Sequence, residues 1–257
     1  MLHRQETAGL VVITQPTHSW IAGCLARMWG EQCGFAPREE VCLAAEQHDI
    51  GWVGWETAPT LNFETGYPHN FMELPTEIHT QIWSGAKKLA LPFGRYATLL
   101  VSLHGTGLFE RFRNWQESPA SSQLVKAYLE QEYDFQEQLI ANLKNDSHYA
   151  SYATPEIIDR NRSLVALWDT LSLTLCMGLR EERQFHQAPI GSGEMALTLT
   201  PIENDIIKVN PWVFEQNEVT LVYEGRLLQE KFVDETAMRN ALENATWVSI
   251  VNRLIPA

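Results

Sequence analysis

The sequence predicts an α+β protein, with a mainly helical body and an antiparallel β element at the C-terminal end. Up to about residue 182, apolar residues recur at spacings of three and four, which is the pattern of amphipathic helices. From about residue 193 onward, polar and apolar residues alternate in stretches such as "EMALTLTP" and "EVTLVYEG", which is typical of strands. The chain of 257 residues, 45% hydrophobic and 20% charged, has the composition of a folded globule with a sizeable core.

The first elements follow from local signals. The β-branched run "GLVVITQ" predicts a strand over residues 10–15, which we expect to join the C-terminal sheet. The segment "TQPTHS" then opens a helix, for which Thr17 is the predicted N-cap. A second helix starts at Pro37, with acidic residues in its first turn, and ends at Gly51.

The rest of the body is helical after a long aromatic connection at residues 52–75, of a length typical of functional lids. Four further helices are predicted, over about residues 75–91, 95–114, 118–143 and 154–182. The pattern changes near residues 183–193. We therefore assign residues 1–188 to the helical body and residues 189–257 to a β-rich element packed on the same unit.

The composition indicates which classes of partner and which cellular compartment are expected. A net charge of −13 disfavours binding to nucleic acid and to anionic membranes. The N-terminal segment lacks a signal-peptide pattern, and no apolar run is long enough to span a bilayer. Four cysteines without a C-x-x-C pair indicate a reducing compartment. We expect a cytoplasmic protein with a small-molecule substrate, and homo-oligomer formation stays open.

One predicted buried carboxylate needs a positively charged partner. Asp169 lies within "SLVALWDTLSLTLC", a helix apolar enough to be buried on most sides. A carboxylate buried there without a partner would cost several kcal/mol. A salt bridge to Arg162 or a metal ion would each solve that problem.

Other ligand-type side chains fall on the predicted helices. The doublet His48-Asp49 in "QHDIG" ends the second helix, and a bend at Gly51 is expected to let the two side chains converge. His18 opens the first helix. His79 lies in the first turn of the third, and His104 lies in the fourth.

This order of residues resembles the HD-domain superfamily of metal-dependent phosphohydrolases, in which a histidine, a His-Asp doublet and a late helical aspartate bind one metal. The resemblance implies an HD-like fold for the helical body. It also implies a first ion at His18, His48, Asp49 and Asp169, and a second ion at His79, His104 and a bridging Asp49. The same order occurs in the HD-fold di-iron oxygenases. The chain also resembles an uncharacterised bacterial family known only as a domain of unknown function, over most of its length.

The function implied is that of a metal-dependent hydrolase acting on a small phosphorylated or otherwise anionic metabolite. Imidazole and carboxylate ligands suit one or two ions of iron, zinc, manganese or nickel. A di-iron oxygenase is the alternative, and a degenerate metal-binding protein without catalysis is the third.

Substrate and proton-transfer groups are less defined by the sequence. Many superfamily members have lysine after "HDIG", but this chain has Trp52. The candidate substrate contacts are Trp52, Trp55, Lys87 and Arg162. The candidate acids and bases are His69, Glu73 and Glu77. Glu73 and Glu77 lie near predicted helix starts, where carboxylates are more often caps or partners of the helix dipole.

Overall fold

Helices and strands occur in blocks along the chain, with β-structure at both ends. The computed structural model describes residues 1–30, 33–191, 193–203 and 205–257. Its strands are β1 (Leu2–Glu6), β2 (Gly9–Ile13), β3 (Leu61–Asn62), β4 (Tyr67–Pro68), β5 (Arg183–Ile190), β6 (Gly193–Pro201), β7 (Ile206–Asn210), β8 (Val219–Leu228) and β9 (Thr246–Pro256). Its α-helices are α1 (Gln15–Met28), α2 (Glu39–Gln47), α3 (Trp52–Glu56), α4 (Thr76–Ala90), α5 (Arg95–Arg111), α6 (Pro119–Lys144), α7 (Pro155–Met177) and α8 (Glu235–Asn244).

Seven of these strands form one curled, mixed sheet in the order β1-β2-β8-β9-β7-β6-β5. β2 pairs antiparallel with β8, with Leu10 opposite Leu228. The prediction that the N-terminal strand joins the C-terminal strands is therefore confirmed. The strand ends at Ile13 rather than Gln15, because Gln15 already begins α1.

The predicted fold class is wrong. Helix makes up 51% and strand 23% of the structure, and the sheet is built into the body, so the protein is not a mainly helical HD-like body. The β element is not purely antiparallel either, because β9 pairs parallel with β7. The helix α8 connects β8 to β9, and β9 lies between β7 and β8 in the sheet. Alternation in sequence identifies strands, but it does not specify which strands pair.

The helices pack on the sheet in layers. α1 and α7 pack against each other, and each also contacts strands of the sheet. α2 and α5 pack on α7, and α4 and α6 pack on α5. Trp29 and Trp168 meet edge to face at 5.7 Å in the core between α1 and α7. α7 is therefore an inner helix, which explains why so much of its surface is apolar.

The start of α1 differs from the prediction by one turn. The side-chain oxygen of Thr14, not Thr17, caps the helix by accepting a hydrogen bond from the backbone N–H of Thr17 at 3.2 Å. Pro16 lies in the first turn, where its missing N–H has no cost. No helix among the described residues is both long and apolar enough to cross a membrane.

Candidate metal centre

Four elements bring ligand-type side chains to one buried point. His18 comes from α1, the doublet from the end of α2, His104 from α5 and Asp169 from α7. All five side chains are buried, with exposed fractions between 0% for His18 and His48 and 8% for Asp169. Burial of this many ionisable groups is rare unless they pair with one another or bind a metal.

Gly51 serves the doublet in a different way from the one predicted. Its backbone is helical, with φ −60° and ψ −25°, so it makes no special bend. A Cβ at this position would lie 2.5 Å from the carbonyl oxygen of Ile82 and 3.1 Å from Cβ of Ala86. Glycine is therefore needed because α4 packs directly against the chain after the doublet.

The donor atoms lie at distances that suit coordination of an ion. Nε2 of His18 lies 2.7 Å from Oδ2 of Asp49 and 3.9 Å from Oδ1 of Asp169. Nε2 of His48 lies 3.7 Å from Oδ2 of Asp49 and 3.3 Å from Oδ1 of Asp169. Nε2 of His104 lies 4.0 Å from Oδ2 of Asp169. Two ligands each about 2.1 Å from one ion are about 3–4 Å apart, so four of these spacings fit a metal, whereas the 2.7 Å spacing is a hydrogen bond between His18 and Asp49.

Two overlapping triads result, each with two imidazoles and one carboxylate. His18, His48 and Asp49 form one triad, and His48, His104 and Asp169 form the other. Within each triad the donor atoms lie within 4.8 Å of one another. Because His48 belongs to both, the five residues form one compact cluster rather than two separate sites.

Hydrogen bonds at the outer ring nitrogens fix the imidazole orientations. Nδ1 of His18 lies 2.9 Å from Oγ of Ser172, and that hydroxyl donates to the carbonyl of Asp169. The serine oxygen therefore accepts a hydrogen bond from the Nδ1–H of His18. Nδ1 of His48 lies 2.6 Å from the carbonyl of Ala45, which can only accept. Nε2 of each ring therefore faces the centre. In His18 this nitrogen lies 2.7 Å from Oδ2 of Asp49, a carboxylate that can only accept, so it carries a proton that a bound metal ion would replace.

The inner nitrogen of His48 provides the test of fit. It is buried and has no hydrogen-bond partner among the described residues, and it faces two carboxylate oxygens that cannot donate a proton to it. A buried lone pair facing carboxylates is unfavourable unless a proton or a cation lies between them. The residues present therefore fit a metal ion such as zinc, iron or manganese.

The pKa values show how strongly the cluster attracts positive charge. Burial alone would lower the pKa of His48, but the carboxylates of Asp49 and Asp169 outweigh it and raise the pKa to about 9. Burial would raise the pKa of Asp169, but His48 and the neighbouring imidazoles lower it to about 2. Burial and the charge of His48 lower the pKa of His104 to about 4. The site thus holds two anionic carboxylates beside the neutral imidazole of His104 on α5.

His79 lies apart from both triads. Its ring meets Trp52 edge to face at 5.4 Å, and both side chains line a cleft that reaches the cluster. Burial lowers the pKa of His79, while a hydrogen bond to the backbone of Phe71 raises it less. Of the six predicted ligands, the structure brings His18, His48, Asp49, His104 and Asp169 together and leaves His79 on the cleft wall.

A family model described as "Protein of unknown function (DUF3891)" matches residues 1–230 of the chain. The chain belongs to the DUF3891 family. No curated protein and no solved structure is significantly similar to it. The resemblance to the HD-domain superfamily therefore has no support from these comparisons.

The predicted acids and bases of this DUF3891 protein lie in structural positions. Glu73 accepts a hydrogen bond from the backbone N–H of Asn70 at 2.9 Å and forms a capping box with it. Nδ1 of His69 lies 2.9 Å from Oγ1 of Thr60. Glu77 lies exposed in the first turn of α4.

The predicted substrate contacts divide into two groups. Nζ of Lys87 lies 2.6 Å from Oε1 of Glu132, and Arg162 is hydrogen-bonded to Glu110, so neither cation is unpaired. Trp52 is buried in the cleft wall, with the ring of Trp55 edge to face behind it at 5.8 Å. Of these four, Trp52 and Arg162 line the cleft.

The cleft in the DUF3891 chain has a volume of about 1390 Å³ and runs along α7. Its α7 wall spans about 27 Å at 1.5 Å per residue. That wall is a stripe spaced by three and four residues: Asp159, Arg162, Ala166, Asp169, Leu173 and Met177. Asp169 lies inside this stripe, so the metal cluster opens into the cleft part-way along its length.

Two functional side chains were missed in the sequence. Ser172 follows Asp169 by three residues, and Gln15 precedes His18 by three, so each lies one turn from a ligand on the same helix face. Gln15 is 2% exposed and lines the cleft. Helical spacing from the ligands was the signal that could have found both.

Proposed function

We propose that this protein is a metal-dependent hydrolase with one ion bound by His18, His48, Asp49 and Asp169, and with His104 as a fifth ligand. The observation that carries the proposal is Nε2 of His48, a buried ring nitrogen without a hydrogen-bond partner among the described residues, facing two carboxylates that attract a proton or a metal ion. The centre opens into a cleft large enough for a substrate.

The donor geometry supports one ion rather than two. Both triads contain His48, and Asp169 lies within 4.0 Å of three imidazoles. A pair of ions about 3.5–4 Å apart would need separate ligand sets and a bridging group. His79, which the second ion would require, belongs to neither triad.

When bound, a divalent ion would lower the pKa of a coordinated water and polarise an oxygen of the substrate. The protein supplies the rest. Ser172 and the Ala45 carbonyl hold His18 and His48 with their inner nitrogens toward the centre. Trp52 and Trp83 line the cleft beside the cluster, with the ring of Trp83 5.6 Å from that of His104.

We assign proton transfer to His79. Its lowered pKa keeps the imidazole neutral at pH 7, so it can accept a proton. It lines the cleft without belonging to either triad, so its ring is available to the substrate or to a water. Its edge-to-face contact with Trp52 holds the ring in place.

A mononuclear iron oxygenase is the second candidate. Each triad has two histidines and one carboxylate, which is the ligand set of many non-haem iron oxygenases. The neighbouring cations Lys87 and Arg162 are engaged by glutamates, so neither of these two predicted contacts is free to bind a phosphate at the centre. The metal that the protein retains separates the two candidates.

The test is turnover with defined metals. Protein treated with chelator is reloaded with Zn²⁺, Mn²⁺ or Fe²⁺ and assayed on a panel of phosphate and carboxylate esters, with and without oxygen. Hydrolysis that needs Zn²⁺ or Mn²⁺ and no oxygen supports the hydrolase. Oxygen consumption that occurs only with Fe²⁺ supports the oxygenase.

Matched variants make this assay specific. His79→Ala should retain metal and lose at least tenfold in kcat, because a general base contributes at least that much. The exposed His186 on β5 is the control, and His186→Ala should leave turnover unchanged. Failure of every metal to restore either activity would reject both candidates and leave a metal-binding protein without catalysis.

A further inference from the structure

We propose that the cleft binds a lipid-like substrate, which is a long apolar chain with an oxyanion head. The head lies at the metal centre and the chain lies between α5 and α7. The position of the head rests on the proposed function; the apolar groove for the chain does not.

The α5 side of the groove beside the metal centre is mainly apolar, whereas the α7 side also carries Asp159, Arg162 and Ser163. The apolar side chains are Leu103 and Leu108 on α5, and Phe112 and Trp115 just past the helix. Ala166 faces them from α7. Apolar side chains that line a groove expose surface to water that a ligand of the same character would cover. Phe112 is 57% exposed at the rim, although it is a large aromatic residue.

The size of the cleft favours a ligand with a long apolar chain over a small metabolite. Its volume of about 1390 Å³ exceeds the usual range of small-molecule sites, about 300–1,000 Å³. From Asp169 to Asp159 the α7 wall is ten residues long, or about 15 Å of groove on one side of the centre. A compact anion at the metal would leave the apolar side chains along this length uncovered, which are Leu108, Phe112 and Trp115 on one side and Ala166 on the other.

Two buried polar side chains mark the place of the head. Trp52 follows Asp49 by three residues, and Gln15 precedes His18 by three. Both line the cleft, at 1% and 2% exposure. Nε1 of Trp52 and Oε1 of Gln15 have no hydrogen-bond partner among the described residues. Buried polar atoms without partners are unfavourable, so a ligand that pairs with them gains affinity.

The head that fits these groups is an oxyanion. The indole N–H of Trp52 can only donate, so it needs an acceptor oxygen. The unpartnered Oε1 of Gln15 can only accept, so it pairs with a protonated oxygen of the head, or the amide turns over and donates its Nε2–H to an oxygen of the head.

The test uses two chain-length series as probes. Sodium butanoate, octanoate and dodecanoate, and the matching alkyl phosphates, are titrated calorimetrically into the protein as purified and after EDTA treatment. Affinity should rise with length by up to about fourfold for each added methylene, which is the value for full burial of that group. The two series show whether the head is a carboxylate or a phosphate.

Two variants separate the chain from the head. Phe112→Ser should flatten the gain between octanoate and dodecanoate and leave butanoate unchanged. Trp52→Phe keeps an aromatic ring but removes the N–H, so it should weaken all lengths by the same factor of about five to ten. Val222→Ser, at a 48% exposed position on β8 outside the cleft, is the control and should have no effect.

The outcomes for the inference and for the proposed function differ. Affinity independent of chain length, or an equal loss in Val222→Ser and Phe112→Ser, would overturn the inference whatever the metal content. A chain-length dependence that survives EDTA, in a protein that binds no metal, would support the apolar groove and reject the hydrolase. Because Phe112 is exposed, its variant should fold even if Trp52→Phe does not, so the chain-length test stands alone.

Discussion

Nδ1 of His18 lies 2.9 Å from Oγ of Ser172, and the same hydroxyl donates to the backbone carbonyl of Asp169. One serine thus links the ligand on α1 to the ligand on α7 and fixes the tautomer of the imidazole. Partners of this kind orient metal ligands from outside the coordination sphere.

Ser172→Ala should lower metal affinity about 10–100-fold without unfolding the protein, because the imidazole of His18 loses its orientation and not its donor atom. Competition with a chromogenic chelator measures that affinity. Ser163→Ala, at an exposed position on the same helix, should leave it unchanged. Equal affinities of Ser172→Ala and the parent protein would show that this hydrogen bond does not position the ligand.

His104 and His79 should respond differently to replacement. His104→Ala should weaken metal binding, since Nε2 of His104 belongs to the triad with His48 and Asp169. His79→Ala should retain the parent affinity, because His79 lies outside both triads. Calorimetric titration of Zn²⁺ into the two chelator-treated variants compares them directly. Loss of half the bound metal in His79→Ala would restore the two-ion assignment.

Gly51 and Gly54 form a matched pair on one short segment. Gly51→Ala should destabilise the protein by about 1–3 kcal/mol, since its Cβ would overlap the Ile82 carbonyl and displace α4. Gly54→Ala should stabilise it by about 0.5–1 kcal/mol, because Gly54 lies in α3 with no atom within 4 Å of a new Cβ. Urea unfolding gives both values. Similar effects at the two positions would contradict the packing assigned to Gly51.

A buried polar network holds α6 against α4 and α5. Glu132 is 1% exposed, accepts from Oγ of Ser102 at 2.6 Å and pairs with Lys87. Glu132→Ala should destabilise the protein by about 3–5 kcal/mol, because it leaves Lys87 and Ser102 without their acceptor.

The control for this change lies on the same helix. Glu137→Ala is at an exposed position of α6 and should alter the free energy of unfolding by no more than about 0.5 kcal/mol. Urea unfolding with far-UV circular dichroism measures both variants. A decrease of less than about 1 kcal/mol in the free energy of unfolding of Glu132→Ala would show that the buried pair contributes little to stability.

The buried His/Asp cluster, which could hold a metal ion, was predictable in part from residue type and position, because a carboxylate within an apolar helix needs a cation nearby. That reasoning found Asp169 and the doublet. It could not separate His79 from His104, since both lie on predicted helices and only the packing of α4 and α5 decides which ring reaches the centre.

The helices and strands were also largely visible in the sequence, but their arrangement was not. Period-two alternation identified β6 and β8, yet it does not show that β9 inserts between β7 and β8. β1 was missed because its sequence, "LHRQE", is polar, and its pairing with β2 sets the edge of the sheet. The mixed sheet arises from these long-range pairings.

Metal stoichiometry tests the central claim most directly. Protein loaded with Zn²⁺, Mn²⁺ or Fe²⁺ and then dialysed is analysed by inductively coupled plasma mass spectrometry, alongside His48→Ala and the control His186→Ala. The structure predicts one ion per chain in the parent and in His186→Ala, and almost none in His48→Ala, because Nε2 of His48 belongs to both triads. Equal metal content in His48→Ala and the parent protein, or no retained metal in any of the three, would contradict the assignment of this cluster as a metal centre.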